Sequence, residues 1–329
     1  MDVQSRLNSA KNSLPPCSPP FWARSGHAQT MLAHLIPSPV LTGSRTELNI
    51  TLESETERIR STYLKGTSKI VVYLFHGLAG SSEGTYMQRT ALEANGLGHH
   101  VLLNNHRGCG TGAGLASEPY HSGRSDDLSK VIAYGKAMLP DHNHIAIGFS
   151  LSANALLLLA AKVGAEVQPD FAIAVNGPIN LDRTSLLLRT GLNKIYEGRF
   201  THELKNYVRI NRPLDTGDLR KVKNLREFDE IFTARLGGFK NRDDYYQKSS
   251  AKQYLPQINI PTVILSSYDD PFVSIEDYLD AKYSDQCLIH LEKYGGHMGY
   301  LTRKGLGYER WLDHALIAYI SAFEKTLAI

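Results

Sequence analysis

A serine in a cramped turn, an aspartate on a loop and a histidine between glycines follow one another along the 329-residue chain, and together they point to nucleophilic acyl transfer. The segment Gly148-Phe149-Ser150-Leu151-Ser152 directly follows an apolar run at 145–147 and directly precedes an apolar helical stretch that begins near Ala153. Such a strand-turn-helix setting presents a hydroxyl at the end of a sheet, and its tightness demands small residues on both sides of the nucleophile. Gly148, Ser152 and Ala153 meet that demand, which makes Ser150 the candidate nucleophile and leaves Ser152 as a lesser one. The same string also suits a serine that caps a helix, so its partners decide.

Those partners come in the order Ser, Asp, His. Asp269-Asp270-Pro271 follows an apolar run at 263–265, and Gly295-Gly296-His297-Met298-Gly299 follows another at 287–291. A serine hydroxyl is a weak nucleophile at neutral pH, so His297 is expected to take its proton and return it to the leaving alcohol. Asp270 is expected to orient the imidazole; it is preferred to Asp269 because it stands just before Pro271, where the loop into Phe272 and Val273 starts. Asp269 has the alternative role of a cap or a supporting hydrogen bond. Acyl transfer also needs N–H donors for the oxyanion. The backbone groups of Leu78, in His76-Gly77-Leu78-Ala79-Gly80, and of Leu151 are the candidates, with His76 read as support for its loop.

The elements that must hold these residues follow from periodicity. Short apolar runs at 70–75, 101–104, 145–147, 171–175, 263–265 and 287–291 alternate with helical stretches, the pattern of a mostly parallel sheet covered on both faces. Helices are expected at 84–95, 125–138, 152–163, 275–282 and 308–323, and an antiparallel edge hairpin at 47–53 and 58–64. The first 46 residues, polar and then proline-rich, read as an extended segment laid on the core. Residues 47–176 and 257–329 read as that core. The stretch 177–256 is too long for a crossover and reads as an inserted helical cap, from the spacing of Leu186, Leu187, Leu188, Leu192 and Ile195.

With these residues in view, the chain resembles the YheT-like branch of the α/β-hydrolases, bacterial relatives of the eukaryotic ABHD lipases and esterases. The resemblance runs through Phe21-Trp22-Ala23-Arg24-Ser25-Gly26-His27-Ala28-Gln29-Thr30, His76-Gly77-Leu78-Ala79-Gly80, Asn105-His106-Arg107-Gly108-Cys109, Tyr120-His121-Ser122-Gly123, Phe228-Asp229-Glu230 and the two loops that carry Asp270 and His297. It departs where Ser152-Ala153-Asn154 replaces the usual Gly-Gly-Asn. The resemblance implies an α/β-hydrolase fold, with a mostly parallel eight-stranded sheet, helices on both faces and a helical cap. It also implies hydrolysis of small-molecule or lipid esters, acyl transfer to alcohols as the alternative, and neither metal nor organic cofactor. A non-catalytic binding protein on the same fold is the rival from another class.

Composition narrows the field. A net charge of +3 carries no commitment to nucleic acid. Three scattered cysteines, Cys17, Cys109 and Cys287, form no disulfide framework and fit a reducing, cytoplasmic setting, and neither a signal peptide nor a membrane span is read. The string at 108–113 matches a dinucleotide fingerprint, but Ser117-Glu118-Pro119 keeps it from opening into a helix. No zinc motif appears among the histidines. Residues 180–255 hold 16 Lys and Arg against 10 Asp and Glu, a local net charge of +6, which suggests peripheral contact with an anionic membrane surface.

Overall fold

The computed structural model describes residues 2–327. Helices α1 (Val3–Ser13) and α2 (Gly26–Leu35) precede strands β1 (Thr46–Thr51), β2 (Arg58–Leu64) and β3 (Ile70–Phe75). Then come α3 (Thr85–Gly96), β4 (His100–Asn104), α4 (Ser125–Met138), β5 (Asn143–Phe149), α5 (Leu151–Ala160) and β6 (Phe171–Val175). A long connection holds α6 (Leu181–Leu188), α7 (Lys194–Asn211), α8 (Leu225–Phe228) and α9 (Arg242–Ser249). The chain returns through β7 (Thr262–Ser267), α10 (Ile275–Leu279) and β8 (Cys287–Glu292), then a hairpin of β9 (Leu301–Lys304) and β10 (Gly307–Arg310), and ends in α11 (Trp311–Leu327).

Eight strands form one sheet in the order β1-β2-β4-β3-β5-β6-β7-β8, antiparallel across β1, β2 and β4 and parallel elsewhere. In β3 the alternation of a strand is buried on both sides. Ile70, Val72 and Leu74 meet α1, α3 and α11, whereas Val71, Tyr73 and Phe75 meet α4 and α5. Among the described residues, no helix is long and apolar enough to cross a membrane.

The N-terminal segment departs from the extended form expected of it. Val3, Leu7, Ala10 and Leu14 lie along one helical stripe, with Leu7 wholly buried, and Asp2 caps α1 by accepting from the Ser5 N–H. Polar composition hid that stripe. Ser25 caps α2 in the same way, and between the two helices the proline-rich residues 15–20 lack regular structure and lead into a single 3-10 turn at Phe21–Ala23. The last helix begins at Trp311 rather than Tyr308, because the residues before it pair as β9 and β10.

Arg107, wholly buried, joins the loop after β4 to two other parts of the chain, the start of α4 and the connection between β1 and β2. Its guanidinium donates to both oxygens of Asp127 at the start of α4 (2.6–3.0 Å), to Glu57 at 2.9 Å and to Glu53 at 2.6 Å. The acidic group Glu53, Asp126 and Asp127 is thereby crossed by Arg107 and Arg124. Removing one partner of a buried pair strands the other charge. Asp127→Ala is therefore expected to destabilise the fold by about 3–5 kcal/mol in urea unfolding; a loss under about 1 kcal/mol would show that Arg107 is satisfied without it.

Candidate functional site

β5 carries the chain into a turn at Ser150 whose backbone has φ 54° and ψ −116°, a strained conformation for a residue with a Cβ. The turn holds because the Ser150 N–H donates to the Val175 carbonyl (2.8 Å) and α5 begins at once. Gly148 cannot be larger, since a Cβ there would lie 2.5 Å from the Ser152 carbonyl oxygen. Ser152, the lesser nucleophile candidate, is wholly buried. Its hydroxyl donates to the His76 carbonyl and lies 2.6 Å from His106 Nε2, so it ties β3 to the turn and has no access to a ligand.

Ser150, His297 and Asp270, 147 and 27 residues apart in sequence, meet in one line. His297 Nε2 lies 2.8 Å from Ser150 Oγ, and His297 Nδ1 lies 2.8 Å from Asp270 Oδ2. A carboxylate cannot donate, so Nδ1–H must, which leaves Nε2 as the acceptor facing the serine hydroxyl. Asp270 is buried and also accepts from the N–H groups of Phe272 (3.1 Å) and Val273 (3.0 Å) and from Asn176 Nδ2 (2.8 Å). Asp269 points elsewhere: its Oδ1 accepts from the Gly296 N–H at 2.8 Å, and burial raises the pKa of its carboxyl.

Groups remote in sequence hold the histidine loop. The Thr30 hydroxyl, on α2, accepts from the His297 N–H (2.8 Å) and donates to the Gly26 carbonyl (2.7 Å). Gln29, wholly buried, binds both backbone groups of Leu301. Tyr300 donates to Asn176, and the Phe272 ring packs on the imidazole at 4.2 Å between centroids. Sequence reading leaves out Thr30 and Asn176 as site residues, although Thr30 lies within the 21–30 motif.

Opposite the serine runs the loop after β3. A Cβ on Gly77 would lie 3.0 Å from that of Ser150, so the loop passes at van der Waals contact. The Gly77 N–H donates to the Tyr86 hydroxyl (2.9 Å) and the Ala79 N–H to the Tyr120 hydroxyl (3.0 Å). Between them the Leu78 N–H has no protein acceptor among the described residues. Leu151 opens α5, where N–H groups lack an intrahelical acceptor. His76 is buried under the loop; its Nδ1–H donates to Gly77 O (2.7 Å) and its Nε2 accepts from the His106 N–H (3.1 Å). The string at 108–113 ends in a single 3-10 turn, and α4 starts only at Ser125, so no dinucleotide loop forms.

Ser150 stands between two hollows. The inner one, about 80 Å³, lies under the helical connection; Leu151, Leu188, Leu204 and Phe228 are among its apolar walls and Asp229 is among its polar groups. Burial pushes the Asp229 carboxyl up to about 6, and Tyr246 and Thr233 hydroxyls donate to it. The outer one is an open cleft of about 650 Å³ that reaches Ser150 and His297 between the Leu78 loop, α2 and α7.

The buried imidazoles give this region a pH limit. Burial pushes His106 down to about 4 from its ordinary 6.5. The fold holds the neutral ring while the unfolded chain takes a proton first, so this stabilisation is present above pH 6.5 and is lost as pH falls toward 4. The loss amounts to about 3 kcal/mol. Urea unfolding at stepped pH should show the decline in that window, shallower in His106→Asn; an identical slope in the variant would assign the acid sensitivity to other groups.

A family model described as the alpha/beta hydrolase fold matches residues 70–171. YheT of Escherichia coli K12, provisionally named an esterase, is 29% identical over 76% of this chain and 76% of its own length. The phospholipase ABHD3 of Bos taurus is 27% identical over 92% of this chain and 78% of its own. Among solved structures, the Pyrococcus furiosus esterase Pf2001 superposes with a TM-score of 0.54 at 18% identity, covering 80% of this chain and 90% of that one, a likeness of fold. By its sheet and its matched segment the chain has the α/β-hydrolase fold, and in sequence it is similar to YheT and to the ABHD3 phospholipases.

Proposed function

We propose that the chain hydrolyses carboxylic esters through an acyl-enzyme on Ser150. The observation that carries this reading is the unbroken line from Ser150 Oγ through His297 to the Asp270 carboxylate, with 2.8 Å at each contact. His297 Nε2 accepts the hydroxyl proton as Oγ attacks the ester carbonyl. The oxyanion receives the Leu78 and Leu151 N–H groups, which lie on either side of the serine and are not needed elsewhere. When the tetrahedral adduct collapses, the ester C–O bond breaks and His297 returns the proton to the departing alcohol. Water then repeats the sequence and releases the acid.

The two hollows divide the substrate. The inner hollow, with its leucine and phenylalanine walls, suits the acyl group and the open cleft suits the alcohol, with residues 177–256 acting as the cap that separates them. An alcohol entering the same cleft in place of water would turn hydrolysis into acyl transfer. Relatives named esterase and phospholipase support esters, including lipid esters, as the substrate class. The three cysteines are free, which supports a reducing compartment such as the cytoplasm.

Ser150→Ala is expected to abolish labelling by a fluorophosphonate probe and nearly all turnover of p-nitrophenyl esters; substantial labelling in the variant would move the nucleophile elsewhere. Asp270→Asn should lower kcat about 10⁴-fold by reversing the tautomer, whereas Asp269→Asn should cost far less, and the opposite ranking would exchange their roles. Thr30→Val should lower kcat on the order of 10²-fold with KM little changed, since it frees the His297 backbone. Thr30→Ser should restore the rate. A Thr30→Val enzyme with wild-type kcat would show that the loop holds itself.

A further inference from the structure

The basic excess of the helical connection is unevenly distributed. From residue 212 to 252, seven of ten Lys and Arg have a carboxylate within 4.0 Å. Earlier in the connection, Arg189, Lys194, Arg199, Lys205 and Arg209 form no salt bridge among the described residues; Arg199 donates to His34 of α2 instead. The acids of 186–214 are only Glu197, which is buried, and Glu203. Aliphatic side chains stand exposed beside these unpaired cations: Leu192 in the turn before α7, Ile195 and Ile210 on it, and Leu214, wholly exposed, just after it. Ile195, Arg199, Asn206 and Ile210 recur at helical spacing along the edge of α7 that lines the outer cleft, and Met31 and Leu35 of α2, also exposed, line that cleft too.

We propose that this face docks on an anionic lipid surface, with the mouth of the outer cleft turned toward the membrane. Cations without carboxylate partners, set among exposed aliphatic tips on and beside one helix, fit a bilayer interface: the tips enter the acyl boundary and the charges meet acidic headgroups. Neither nucleic acid nor solvent gives a reason for the leucine and isoleucine tips. The inference rests on the ester-hydrolase reading only for its use, which is to bring ester lipids to the cleft that leads to Ser150. The docking itself needs no turnover.

Sedimentation of the full chain with sucrose-loaded vesicles, phosphatidylcholine alone or mixed 3:1 with phosphatidylglycerol, tests it. Binding is expected to the mixed vesicles and not to the neutral ones, and to weaken as salt rises, because exposed charges are screened beyond about 8 Å at physiological ionic strength. Arg189→Glu with Lys194→Glu, and separately Leu192→Ser with Leu214→Ser, should each reduce binding at least tenfold while turnover of soluble p-nitrophenyl acetate stays the same. Absent binding, equal binding to both vesicle types, or variants that sediment like wild type would overturn the proposal. Self-association without vesicles, lost in the same variants, would also overturn it and assign the face to a second copy of the chain. Anionic binding by a chain inactive on every ester would sink the ester-hydrolase reading and leave the docking face intact.

Discussion

Asp270 sets the terms for the rest of the molecule. A carboxylate out of reach of water is tolerable only if donors surround it, and here there are four: two backbone N–H groups of its own loop, the amide of Asn176 and the imidazole of His297. These donors belong to three separate constraints. The loop N–H groups require the turn after β7, Asn176 requires the end of β6 to adopt φ 49°, and the imidazole requires the loop after β8 to come across to it. Neighbouring parallel strands deliver all three at their C-terminal ends, which is where such sheets gather chemistry.

The loop opposite Ser150 is fixed by phenol and imidazole groups as well as by its own turn, in which the Gly80 N–H donates to the Gly77 carbonyl. Tyr86 and Tyr120 occupy the N–H groups on either side of Leu78, and His76 and His106 brace the loop from beneath. Ser152 takes part in the same bracing. The crowded contact at Gly148 is with the Ser152 backbone, and the Ser152 hydroxyl itself is satisfied by the His76 carbonyl.

Much of this was legible in the sequence, and the reason differs by residue. Ser150, Asp270 and His297 announce themselves because chemistry fixes both their types and their order, and because glycine and proline mark their loops. The strands are legible because β3 to β7 are buried on both faces, which leaves uninterrupted Val and Ile runs. The anchors Thr30 and Asn176 were not, since a threonine or asparagine that binds a backbone group 267 or 120 residues away has no local signature. Helix α1 was hidden for a related reason: with Leu7 as its one fully buried residue, its register is set by what it packs on, notably α11.

That reach across the chain bears on how the molecule is made. Thr30 and Gln29 leave the ribosome 267 and 272 residues ahead of the backbone groups they hold, at His297 and Leu301. Glu292, at the end of β8, also accepts from the Cys17 N–H, and the Arg303 N–H of β9 donates to the Ser18 carbonyl, so residues 17–30 are held in large part by partners that follow far later in the chain. A nascent chain can assemble much of its sheet and still lack a working base. The serine becomes reactive only once the loop that carries His297 has emerged and docked on α2, so a shorter nascent chain stays chemically silent through the period in which it is least protected.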